Sequence, residues 1–296
     1  MMAGPAAELP AEVPKAGPAV VRLILGAQLR RLRETARVTP DAAAWQIRAS
    51  RSKISRMENG RVGFKERDIS DLLQLYEVTD PQVVASMLAL VTQANAQEWW
   101  ATYGDILPGW FEPYLGLEAS AALIRAFDLQ FVNGLFQTEP YARAVTTIGS
   151  RRAAASEIDR LVAVRMKRQK LLTAAEPPRI WSILDEAALR RPVGGTAVMR
   201  AQLARLAEVA ELSHVTLQVI PFRAGGHDAA GGSFTVLRFS EADVPDIVYI
   251  EQLTGAQYLE KRSDVDHYLD VMNRLSATSL SPDGTVDFLA AVIRET

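Results

Sequence analysis

Within the stretch SRSKISRMENGR, Ser50 to Arg61, five polar side chains fall inside six residues: Arg51, Ser52, Lys53, Ser55 and Arg56. Their chemistry suits an anionic partner whose edge carries a pattern of donors and acceptors. A guanidinium offers a rigid fork of N–H groups, an ammonium a compact charge, and a hydroxyl both donates and accepts. Ile54 and Met57 stand three apart among them. A helix would turn these two inward and leave the polar five outside. Ser50 is placed to cap that helix, and Asn59-Gly60 to end it.

Such a helix needs a support, and the flanking sequence supplies one. Leu25, Leu29, Leu32 and Ala36 recur at helical spacing, with arginines on the other faces. Thr39-Pro40-Asp41 gives an N-cap and a proline at the first helical position. The short helix it opens runs through Ala43, Ala44 and Ile47, and Ala44 is small where two helices in a tight corner approach. Arg48-Ala49 makes the turn into Ser50. Asp68 to Tyr76 predicts a fourth helix, with Ile69, Leu72, Leu73 and Tyr76 on one face. Asp80-Pro81 opens a fifth, through Val84, Met87, Leu88 and Val91. The expectation is an all-α head of five helices over residues 21–95.

Charge separates this head from the rest. The 296 residues carry 33 Lys and Arg against 35 Asp and Glu, net -2. Residues 22–67 hold 12 cations and 4 anions, a net of +8, which leaves -10 for the remainder. A basic head on an acidic body is the footprint of a nucleic-acid module joined to another domain. The alternative at this point is a solvated helical face with surplus arginine. There is no cysteine, so disulfides, thiol catalysis and thiolate metal sites are excluded. His214, His227 and His267 are scattered, and no metal or other cofactor is expected. Residues 1–20 are rich in Pro and Ala and predict a disordered tail, not a signal peptide. The charge-free run from Pro81 to Gln97 has polar residues at helical spacing, so no membrane span is expected, and the location expected is cytoplasmic.

Two short helices joined by a tight turn, with a polar outer face on the second, form a helix-turn-helix. Residues 24–78 resemble the lambda-repressor-like (Xre-type) DNA-binding domain. TPDAAAWQIRASRSKISRMENG follows that family's pattern without gaps, behind the LGAQLRRLRE helix. The resemblance implies that Ser50, Arg51, Ser52, Lys53, Ser55 and Arg56 lie at the major groove of double-stranded DNA. Arg51, Ser52 and Arg56 match its base-reading positions, and Asn59, Arg61 and Lys65 its phosphate contacts. Glu58 matches a position paired with an arginine of the first helix, here Arg33. Two departures stand out. Pro40 replaces a Gln that would donate a hydrogen bond. Arg48 replaces the turn Gly, where a left-handed backbone would cost about 1 kcal/mol, so a slightly different turn is expected.

From Glu98 the composition changes. EWWATYGDILPGWFEPYLGLE concentrates aromatics, as a core edge or a ligand cage. Strands are predicted at 122–131, 179–184, 215–220, 233–239 and 246–251, and helices at 139–146, 156–174, 197–212, 265–275 and 285–294. The last three strands are consecutive, which predicts an antiparallel meander with helices on one face. GGHDAAGG would be a flexible hairpin loop within it. The fold class expected for residues 96–296 is α+β with a mainly antiparallel sheet.

VNGLFQTEPYARAV, RMKRQKLL, LDEAALRRPVGG, MRAQLARLAEVA, VTLQVIPFRAGGH and IVYIEQ resemble, in this order, a domain of unknown function that follows Xre-type heads in regulators of filamentous actinobacteria. That resemblance implies control of development or secondary metabolism. It also implies a small acidic protein encoded nearby as a partner. The residues that could form an effector pocket are Trp100 and Tyr114, Gln137 and Tyr141, the helix face Arg165, Arg168 and Gln169, and Glu186. Arg165, Arg168 and Gln169 could receive a carboxylate or other anion, or form a salt-bridged face. Asp185-Glu186 could be a catalytic pair, but adjacent carboxylates at a helix start suit capping. The expectation is a homodimeric DNA-binding regulator without catalytic activity, responsive to a small-molecule effector or protein partner. Its rivals are an enzyme localised by its head, and an interaction hub with weak DNA binding.

Overall fold

The computed structural model describes residues 16–242 and 244–296. The tail expected over residues 1–20 lies outside the described residues up to residue 15, and Pro18 already opens the first helix. The chain divides after Ala101 into two compact units.

The N-terminal unit contains α1 (Pro18–Thr35), α2 (Pro40–Gln46), α3 (Arg51–Glu58), α4 (Glu66–Leu75) and α5 (Pro81–Ala94). Local chemistry starts them. The Thr39 hydroxyl accepts from the Ala42 N–H at 3.2 Å, the Ser50 hydroxyl from Lys53 N–H at 3.2 Å, and Asp80 from Gln82 N–H at 2.8 Å. Proline occupies the first turn of α1, α2 and α5, where its missing N–H loses nothing. One device also ends α1 to α4. Arg37 (φ 55°), Arg48 (φ 52°), Gly60 (φ 63°) and Glu77 (φ 57°) are left-handed, one at each end. The next N–H then reaches back five residues: Val38 to Arg33, Ala49 to Ala44, Arg61 to Arg56 and Val78 to Leu73, all at 2.8–3.0 Å. This is the Schellman closure. The different turn expected at Arg48 is therefore not what forms. Arg48 takes the left-handed conformation, at a cost of about 1 kcal/mol, because two backbone hydrogen bonds depend on it.

Ile54 and Met57 of α3 are buried in one cluster with Leu25, Leu29, Ile69 and Leu72. At Gly26, α1 meets the end of α3 backbone to side. A Cβ there would lie 2.5 Å from the Met57 carbonyl oxygen and 2.7 Å from that of Glu58, so only glycine fits.

The C-terminal unit is built on a six-stranded sheet. In chain order its elements are α6 (Glu112–Ser120), β1 (Leu123–Asp128), α7 (Glu139–Gly149), α8 (Ala155–Arg168), β2 (Arg179–Asp185), α9 (Glu186–Arg190), α10 (Thr196–Ala210) and β3 (Val215–Ile220). There follow β4 (Phe234–Arg238), β5 (Ile247–Gln252), β6 (Gly255–Leu259), α11 (Arg262–Thr278) and α12 (Pro282–Glu295). The sheet order is β3-β2-β1-β4-β5-β6. β1, β2 and β3 run parallel, whereas β1–β4, β4–β5 and β5–β6 are antiparallel. The sheet is thus mixed, mostly but not wholly antiparallel.

Two expectations are corrected here. The consecutive meander is β4-β5-β6, and β3 pairs with β2 at the far edge. The GGHDAAGG segment is therefore no hairpin loop but the crossing from that edge to the other side of β1. Nor does one face of the sheet stay open. Ile124 and Ala126 on one face of β1, and Phe127 on the other, are all buried. Phe127, Ile183, Ile220 and Val236 share a cluster with Val265, Met272 and Leu275 of α11. A strand buried on both sides belongs to a layered sheet with parallel crossovers.

Candidate functional site

In the N-terminal unit, α3 carries the polar row. Ser50, Arg51, Ser52, Ser55 and Arg56 are exposed, while Ile54 and Met57 anchor the helix from beneath. Arg51 lies 3.9 Å from Asp41 with both side chains about 70% exposed, a pair too solvated to hold the guanidinium. Arg61 and Lys65 are exposed beyond the helix, and Asn59 is its half-buried C-cap.

Lys53 is engaged within the unit. Its Nζ donates to Asp68 Oδ2 at 2.6 Å, a partly buried pair that ties α3 to α4. Asp68 carried no role in the sequence reading. Its signal was a carboxylate just before the buried Ile69 and within the first turn of a helix.

Arg33 and Glu58 are brought together as a two-pronged pair. Arg33 Nε and Nη2 donate to the two Glu58 oxygens at 2.6 and 3.0 Å, and Nη1 donates to the Val38 carbonyl at 3.0 Å. Each side chain is only 9% exposed. The hydrogen bond that Arg33 donates to Glu58 raises the Arg33 pKa in spite of burial. The pair joins α1 to the last residue of α3, so the single carboxylate of α3 is neutralised inside the unit. The exposed face is left with positive charge only.

The C-terminal unit has a second polar constellation, where the end of α8 meets the loop after β1. Arg168 donates to both Glu118 oxygens at 2.9 and 2.7 Å, and the Tyr114 hydroxyl donates to Glu118 at 2.8 Å. Arg168 also lies over the Phe111 and Tyr114 rings. Burial works against its charge, but Glu118 outweighs it and the pKa rises. Gln169 donates to the Gly134 and Gln137 carbonyls at 3.1 and 2.6 Å. Arg165 Nη1 donates to the Gln137 side-chain oxygen at 3.3 Å.

Comparison with protein families assigns both units. A model described as a helix-turn-helix domain matches residues 24–86, which contain α2 and α3. A second, described as a domain of unknown function (DUF5753), matches residues 111–291, more than half the chain. The chain belongs to the DUF5753 family. No curated protein and no solved structure matches it. The helix-turn-helix match supports DNA binding, and no helix among the described residues is long and apolar enough to cross a membrane.

Within the DUF5753 domain, the residues proposed for one pocket do not all meet. Tyr114, Gln137, Arg165, Arg168 and Gln169 do share the constellation. Trp100 belongs to the N-terminal unit, where it packs edge-on against Trp99 at 5.4 Å. Tyr141 is buried and its hydroxyl accepts from the Val132 N–H at 3.2 Å. Glu186 is bound to Arg190 at 3.0 Å and accepts from the Phe222 N–H at 2.7 Å. Its neighbour Asp185 caps α9 through the Ala187 N–H at 2.7 Å and faces His227 at 3.3 Å. Both carboxylates thus have structural partners.

Sequence reasoning missed Glu118 and Asp128. Glu118 sits inside the apolar run YLGLEA, and a carboxylate there demands a buried cation. Asp128 ends β1 and accepts from Asn133 Nδ2 at 3.1 Å. Burial raises its pKa to about 7 against the pull of that hydrogen bond and of Arg168.

Proposed function

We propose that this DUF5753 protein is a sequence-specific, double-stranded-DNA-binding transcription regulator of the Xre type. It acts in the cytoplasm as a homodimer and is governed through its C-terminal unit. One observation carries the reading: α3 exposes Arg51, Ser52, Ser55 and Arg56 in a row, on a helix held from below by Ile54, Met57 and the Arg33–Glu58 pair. A recognition helix needs this combination, because base edges are read only by side chains whose backbone is fixed. Dimerisation is part of the proposal since one helix reads too few bases, and paired heads meet half-sites roughly 34–36 Å apart.

The C-terminal unit is proposed as a receiver and not an enzyme. The carboxylates best placed for acid–base work, Asp185 and Glu186, are engaged in capping and ion pairing. A small-molecule effector and a small acidic protein encoded nearby are the two candidate inputs. The resemblance to actinobacterial regulators favours development or secondary metabolism as the controlled process.

The test is titration of the full chain on its own upstream DNA. Arg51→Ala and Arg56→Ala are each expected to weaken specific binding by about 1–3 kcal/mol and to relax base preference at one position. Unchanged operator affinity in both variants would sink the proposed groove face.

A further inference from the structure

Arg165 differs from Arg33 and Arg168; among the described residues Arg125 also bonds only a neutral amide oxygen, but its guanidinium lies over the Trp181 ring at 4.7 Å. Arg33 and Arg168 each hold a carboxylate with two N–H groups. Arg165 has five N–H donors and, among the described residues, makes one hydrogen bond, to a neutral amide oxygen at 3.3 Å. It is half-buried, and its remaining N–H groups are not sealed from solvent. Burial, and then repulsion from Arg168 one turn away, lower its pKa to about 10. Its charge is therefore held in a partly desolvated position, and among the described residues no carboxylate is hydrogen-bonded to it. Nothing in the packing demands a guanidinium there, and an aliphatic chain would avoid the desolvation.

The surroundings define what would complete it. Gln137 and Gln169 are each locked by hydrogen bonds to the backbone around Gly134, so the platform beside Arg165 is rigid. Gly134 packs closely here: a Cβ would stand 3.3 Å from Arg168 Nη1, so the guanidinium would have to yield by a few tenths of an ångström. Glu118 is saturated by Arg168 and Tyr114 and cannot serve Arg165. Glu251 brings negative charge to the neighbourhood and acts on Arg165, Arg168 and Asp128 alike. It disfavours a dianion. A planar carboxylate matches the guanidinium fork and adds one charge only.

We propose that Arg165 receives the carboxylate of a small organic monoanion, where the end of α8 meets the loop after β1. This names the chemistry of the effector and rests on the reading of the C-terminal unit as a receiver.

The experiment uses the full chain, without DNA, in thermal unfolding and calorimetric titration. Sodium acetate and sodium benzoate are the probes, with sodium chloride and sodium sulfate at matched ionic strength as controls. Probes are taken to about 10 mM, enough to occupy a site with Kd of about 1 mM. A carboxylate is expected to raise the melting temperature above chloride, as a ligand of the native state must. Arg165→Met should abolish that rise. Without any probe it should melt at or above wild type, by up to about 4 °C, because a desolvated charge is gone. Arg165→Lys keeps the charge without the fork and should weaken carboxylate binding about tenfold or more. The proposal is overturned by an equal rise in Arg165→Met, by no response of wild type to either carboxylate, or by a larger response to sulfate. It is also overturned if Arg165→Met melts well below wild type, which would make Arg165 a structural residue. Repeating the titration on operator DNA separates the two claims. Carboxylate binding that leaves operator affinity unchanged keeps the site and removes the regulatory reading.

Discussion

Replacing Glu58 by alanine removes the carboxylate that neutralises Arg33. Two hydrogen bonds of 2.6 and 3.0 Å disappear, and a guanidinium only 9% exposed keeps the Val38 carbonyl and, at 3.6 Å, the solvated Glu34 carboxylate, which compensates it weakly. Breaking a buried pair from one side costs about 3–5 kcal/mol, because the remaining charge is desolvated and uncompensated. That is a large part of the roughly 5–15 kcal/mol that stabilises a domain. The effect is local to the N-terminal unit, so hydrogen exchange of α1 and α3 amides reads it better than a global melt. At tenfold per 1.4 kcal/mol, protection should fall about 100-fold or more. A second arm tests the cause. Arg33→Met with Glu58→Leu removes both charges at similar volume and should recover protection to within about 1 kcal/mol of wild type. If the single and double variants lose the same protection, charge compensation is not the reason. If Glu58→Ala keeps full protection and only tightens DNA binding, Glu58 faces phosphate and the clamp is refuted.

Three further outcomes are expected. Lys65→Ala should weaken binding to all DNA sequences alike and flatten the salt slope by about 0.9, measured by anisotropy at several salt concentrations; a sequence-selective loss would contradict the phosphate role. Gly26→Ala should destabilise the N-terminal unit by about 3 kcal/mol or more, since its Cβ would stand 2.5 Å from a backbone oxygen that cannot move away. Normal exchange protection in that variant would show that α1 and α3 separate easily. Asp128 has its pKa raised from 3.8 to about 7 by burial, so the folded state holds its proton more tightly than the unfolded. Its contribution to stability should therefore fall as pH rises from about 4 to about 7 and stay flat above. Asp128→Asn should remove that fall from exchange protection in β1, and an unchanged pH profile would refute the assignment.

The N-terminal unit was legible because its boundaries are decided locally. Thr39-Pro40, Ser50 and Asp80-Pro81 each start a helix with atoms two or three residues away, and Ile54 and Met57 declare the buried side of α3. Left-handed Arg48 was misjudged because steric preference disfavours it; the hydrogen bonds that compensate belong to neighbouring residues. The pairing of Lys53 was not legible because its partner Asp68 is 15 residues away on another helix. In the C-terminal unit most strand positions were legible and their partners were not. VTLQVI is apolar enough to be a strand, but nothing in its six residues distinguishes pairing with β2 from pairing with β4. Pairing order follows from burying both faces of β1 and β2, a property of the assembled sheet. β6 escaped notice as a five-residue, half-exposed edge strand that begins with glycine.

Three arginines make one comparison across both units. Arg33 and Arg168 are each surrounded by acceptors that belong to the fold: a carboxylate taken by two N–H groups, with a carbonyl or aromatic faces besides. Removing either leaves a buried carboxylate, so both are expected to be needed for stability. Arg165 shares a helix with Arg168 and lies one turn from it, yet the fold provides it with only a glutamine oxygen. Stability alone would favour an uncharged residue at that position. A partly desolvated guanidinium, beside a platform fixed by hydrogen bonds of Gln137 and Gln169 to the backbone, is accounted for on the proposed reading by an acceptor that arrives from outside. The division parallels that of α3, where Glu58 is committed inward so that Arg51 and Arg56 remain directed outward. Glu58 neutralises Arg33 and Glu118 neutralises Arg168, and on the proposed reading Arg51, Arg56 and Arg165 are the arginines kept for partners.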